Sequence, residues 1–142
     1  MHRLALVGES PIKFNLYDVL NAKTRGKLLL GDSTGSLVNN KGFKIKPSNN
    51  VLYLIIHDAT MKPTMNKWFT NVLSNSQKRD NAIGVITAPL HLTHNQRNTM
   101  MEMLYYERHC ISFGYHLVTY DNLTANTIDI NLLLQTIDYH IK

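Results

Sequence analysis

The sequence predicts an α/β domain with a mixed, mostly parallel central sheet, and three observations carry that prediction. Short apolar runs alternate with stretches of helical periodicity, the order expected of strands joined by crossover helices. Helix starts and stops coincide with residues that cap free amides or suit helix ends. The longest apolar run, residues 51–57, is continuous rather than alternating, as in a strand buried on both faces.

Taken in order, residues 3–8 form a short apolar strand. Ser10 and Pro11 then start a helix, because a serine hydroxyl accepts from free amides and proline fits the first helical position. Ile12, Leu16, Val19 and Leu20 follow at helical spacing, and Gly26 closes the helix behind Lys23 and Arg25. Residues 27–31 read as a second strand. The texture then turns to Gly, Ser, Asn and Lys, with a turn at residues 39–42 between short strands at 36–38 and 43–46. This basic β-hairpin near residues 32–50 interrupts the strand–helix alternation and is expected at one side of the sheet.

After the 51–57 strand, Met65, Trp68, Phe69, Val72 and Leu73 place one apolar stripe on a helix over 64–77. Residues 82–88 form the next strand, ended by Pro89. Thr93 and Gln96 fit a capping box, in which each side chain satisfies an amide of the other residue. The helix so started runs to Phe113 and stops at Gly114, with Met100, Met103, Leu104, Cys110 and Ile111 on its inner face. A strand at 116–120 and a helix at 127–141, facing inward through Ile130, Leu133, Leu134, Ile137 and Ile141, complete the chain. About five main strands and four helices are thus expected, in one domain spanning residues 1–142.

Composition narrows the function classes. The chain has 142 residues, 44% hydrophobic and 18% charged, which suits a globular protein with its own core. No apolar run approaches the roughly 20 residues of a membrane helix, and the apolar opening is too short for a secretory signal. The single Cys110 has no partner for an intrachain disulfide or a thiolate cluster, which favours a reducing compartment and hence the cytoplasm. Net charge is +5, and residues 1–50 hold eight basic against three acidic side chains while the rest balances at seven each. A basic segment with Lys41, Lys44 and Lys46 can attract phosphate backbones, although it lacks the interleaved arginines and aromatics of nucleic-acid modules and also reads as a solvated hairpin.

Motifs for catalysis are sparse. Gly8 with Lys13 falls short of a phosphate loop, which needs a second glycine before lysine and serine or threonine so that backbone amides wrap the phosphates. The three-glycine dinucleotide fingerprint is absent too. Seven histidines are spread through the chain, and His57, Asp58, His91 and His94 are the catalytic candidates. If the strands run parallel, His57-Asp58 follows one strand and His91 and His94 follow the next at the same carboxyl edge, where open α/β sheets bind ligands. Such a group could ligate a metal or supply a general base oriented by a carboxylate. His91-x-x-His94 lacks the glutamate and the mid-helix placement of a zinc-protease motif, so no metal or cofactor is assigned. His91-Leu92-Thr93 matches half of a two-histidine phosphoesterase pattern whose second copy is missing. His109 and His140 read as ordinary helix positions, and Cys110 as a core residue rather than a reactive thiol.

From residue 42 onward a resemblance to a known family emerges. The residues that carry it are a strand at 43–46, the 51–57 strand, a helix, the 82–88 strand, Pro89-Leu90-His91-Leu92-Thr93-His94, the long helix, Gly114-Tyr115-His116-Leu117-Val118-Thr119 and the last helix. This order resembles a STAS domain, the fold of bacterial anti-anti-sigma factors and related regulators. The resemblance implies a non-enzymatic, partner-binding domain at 42–142, preceded by a strand–helix–strand extension at 1–41. It departs from the family where regulatory members carry an Asp-Ser-Ser-Gly-like loop with a phosphorylated hydroxyl. Residues 90–95 have neither serine nor glycine, and Thr93 is their only hydroxyl.

Two functions therefore stand after the sequence alone. The first is a non-catalytic interaction or regulatory domain that binds a protein partner through His91, Thr93, His94, Asn95 and Arg97. The second is a phosphate-ester hydrolase or nucleotide-handling enzyme using the histidine group. Nucleic-acid binding through the lysines and homo-oligomerisation stay open; neither a cofactor nor a membrane partner is expected.

Overall fold

The fold is that of a computed structural model, which describes residues 3–8, 12–24, 28–30, 37–38, 44–45, 51–60, 80–124 and 126–141. The expected Ser10-Pro11 start, the Gly26 stop, the turn at 39–42, the helix over 64–77, and Lys41 and Lys46 lie outside those residues. Five parallel strands make the central sheet: β1 (Arg3–Val7), β2 (Leu28–Leu30), β5 (Val51–Asp58), β6 (Ala82–Ala88) and β7 (Tyr115–Thr119). Three α-helices accompany them among the described residues: α1 (Ile12–Thr24), α2 (His94–Cys110) and α3 (Ile128–Ile141). Within the basic segment, β3 (Leu37–Val38) pairs antiparallel with β4 (Lys44–Ile45), Leu37 opposite Ile45. The pair forms a separate two-stranded sheet rather than extending the central one.

The strand order is β2-β1-β5-β6-β7, and every adjacent pair is parallel. From β1 the chain steps outward to β2, and from β5 it steps the other way to β6 and β7. That reversal is the switch point of a doubly wound sheet. β1 is bonded on both sides, so the first strand–helix unit is built into the interior of the sheet. β5 and β6 are buried along their whole length, which is why they are apolar except for His57, Asp58 and Thr87 at their carboxyl ends.

Strand alternation divides the core into two layers. On one face, Leu4, Leu6, Leu52, Leu54, Ile56, Ile83, Val85 and Val118 pack with Leu16 and Leu20 of α1 and Ile130, Leu133 and Ile137 of α3. On the other, Ile86, Ala88 and Ala59 meet Leu92 and Met100 at the start of α2. The apolar spacing in α1 and α3 thus marks their buried faces. Met103, Leu104 and Cys110 have side chains outside the described set. Among the described residues no helix is long and apolar enough to cross a membrane.

Several boundaries differ from expectation by a residue or more, and the largest difference has a tertiary reason. The long helix ends at Cys110 rather than Phe113. Beyond it, the Phe113 amide donates to the Ala82 carbonyl at 3.1 Å and Gly84 donates to the Gly114 carbonyl at 2.8 Å, so the edge of β6 captures the chain first. Gly114 takes φ +75°, the left-handed turn that glycine makes without cost, and leads into β7. β7 stops at Thr119, and Tyr120–Asn122 close a single 3-10 turn. β5 runs one residue further than expected and carries Asp58 inside the strand.

Gly8 closes the end of β1 at the switch point with φ +136°. A Cβ built there would lie 2.2 Å from the Ile56 carbonyl oxygen of β5, which is backbone and cannot swing away. Gly8→Ala is expected to cost about 2–3 kcal/mol through strain and displacement of β5. Urea unfolding at neutral pH measures it, and a loss below about 0.5 kcal/mol, the range of an ordinary surface substitution, would contradict the close approach.

Candidate functional site at the carboxyl edge

Parallel strands bring the carboxyl ends of β5 and β6 side by side, with His57 opposite Ile86 and Asp58 opposite Thr87. Asp58 is almost fully buried, and hydroxyl groups surround its carboxylate. Oδ2 accepts from Thr87 Oγ1 at 2.9 Å and from the Tyr120 hydroxyl in a short contact. Oδ1 accepts from the Thr60 amide at 2.9 Å and, again at short range, from Thr60 Oγ1. Thr87 Oγ1 also lies 3.0 Å from the carbonyl oxygen of His57, which it can donate to instead. One carboxylate therefore ties β5 to β6 and to the turn after β7.

The Tyr120 phenol is pushed above its usual range by burial first, and then by its hydrogen bond to Asp58 and that residue's charge; a bond from Thr60 works against them. It remains a protonated donor at neutral pH. His57 is buried, and desolvation lowers its pKa from 6.5 to about 3. A general base works best with a pKa near the operating pH; at neutral pH burial keeps His57 a neutral ring in the core.

Adjacent residues of a strand point to opposite faces. Asp58 shares the face of Thr87 and Tyr120, whereas His57 is in register with Ile86 on the α2 side. The sheet itself separates the His57–Asp58 pair that the sequence set together as base and orienting carboxylate. His91 and His94 reach the same edge but are exposed. Among the described residues, no three His, Cys, Asp or Glu side chains gather closely enough to hold a metal ion. The four catalytic candidates are thus divided between two layers and the surface.

The loop from β6 to α2 holds the other predicted residues. His91, Thr93, His94, Asn95 and Arg97 are all exposed, as is Leu90 at 64%. The capping box forms as its spacing requires: the Gln96 amide donates to Thr93 Oγ1 at 3.2 Å, and the Thr93 amide donates to Gln96 Oε1 at 3.0 Å. Thr93→Ala is expected to destabilise the protein by about 1 kcal/mol, read as a lower urea midpoint with unchanged slope. An unchanged midpoint would mean that the cap does not form in solution. Lys44 lies on β4 with its side chain outside the described set, as do the side chains of His109 and Cys110. His140 stacks on Phe113 with ring centroids 3.9 Å apart, an edge role on α3 rather than a place at the carboxyl edge.

Sequence reasoning missed Thr60, Thr87 and Tyr120. Thr60 had a local signal, because an aspartate often accepts from the amide two residues on. Thr87 and Tyr120 had none, standing 29 and 62 residues from their partner. A second unpredicted knot holds the start of α3. Asp129 Oδ2 accepts from the Thr119 amide at 3.2 Å and from Asn122 Nδ2 at 3.0 Å, while the Ile130 amide makes a long 3.4 Å bond to Thr127 Oγ1.

Fold and edge together define a doubly wound parallel α/β domain with helices on both faces. No family model matches the chain, and no curated protein or solved structure matches it significantly.

Proposed function

We propose that this chain is a non-catalytic interaction or regulatory domain whose partner surface is the β6–α2 loop, residues 89–97. The observation that carries the reading is how the carboxyl edge spends its polar groups. The buried carboxylate is occupied by three hydroxyl side chains and an amide of the protein itself, and the buried histidine is neutral. What the edge offers outward is Leu90, His91, His94, Asn95 and Arg97, an apolar and basic surface on a loop anchored by a capped helix. Binding residues are commonly carried on such loops over a rigid sheet.

The reading stands apart from the resemblance of residues 42–142 to STAS domains. The phosphoswitch of that family would fall to Thr93, whose hydroxyl is engaged as a helix cap.

Paired variants test the proposal. Leu90→Asp with Arg97→Glu is expected to keep the wild-type circular dichroism and urea midpoint while abolishing co-elution with a protein partner. Equal co-elution of wild type and variant would place the partner surface elsewhere. Turnover of a phosphate ester that falls on His91→Ala or His94→Ala would overturn the non-catalytic reading in favour of a hydrolase.

A further inference from the structure

No further inference is drawn: the strongest candidate, the exposed apolar stripe that Ile128, Leu132 and Tyr139 form along the outer face of α3, has nothing in the structure to show what covers it.

Discussion

On acidification from pH 7 to pH 3, the protein is expected to lose about 4–5 kcal/mol more stability than its His57→Gln variant. The folded-state pKa of His57 is about 3, against 6.5 in the unfolded chain. Below pH 6.5 the unfolded chain therefore binds a proton that the folded chain refuses. A depressed pKa of this kind contributes stability that is present above 6.5 and fades as pH falls toward 3. Other titrating groups are common to both proteins and cancel in the comparison. Urea unfolding at pH 7, 5.5 and 4.5 would show the gap between the two curves changing by up to about 1.4 kcal/mol per pH unit. Parallel curves, or a His57 ring that titrates near 6.5 by NMR, would show that the ring is not buried as described.

Removal of the Asp58 carboxylate comes next in size. Asp58→Ala leaves the Tyr120 hydroxyl and both Thr60 donors without their acceptor, while Thr87 keeps the His57 carbonyl. The expected loss is about 2–4 kcal/mol, since hydrogen bonds to a charged acceptor contribute about 1.5–3 kcal/mol each, while exposed Thr60 and half-buried Tyr120 can turn to water once the carboxylate is gone. Tyr120→Phe removes a single donor and is expected to cost about 1–2 kcal/mol. The double variant then costs less than the sum, because the second change removes a hydroxyl already deprived of its partner. Strict additivity would show that the two side chains do not interact in solution.

Much of the fold was legible because it is written in short-range terms. The capping pair Thr93 and Gln96 is three residues apart, and each side chain reaches the other's amide whatever surrounds the helix. The inward positions of α3, Ile130, Leu133 and Ile137, follow from helical period alone. The continuous apolar run of residues 51–57 predicts a strand covered on both sides, and β5 is buried along its length. The candidate site was less legible. Reading β5 as ending at His57 left Asp58 free to turn back toward it, whereas the strand continues through Asp58 and its alternation sends the two side chains apart.

The sequence by itself determined the α/β class, the strands and helices found among the described residues, and the apolar faces that α1 and α3 bury. These depend on contacts within about four residues, which chain periodicity and capping chemistry encode directly. Only the tertiary structure decided the strand order, with β1 between β2 and β5, and the partners of Asp58. Thr87 and Tyr120 meet that carboxylate because parallel register and a shared sheet face bring strand ends together. Nothing in the local chemistry of three well-separated segments specifies such a meeting.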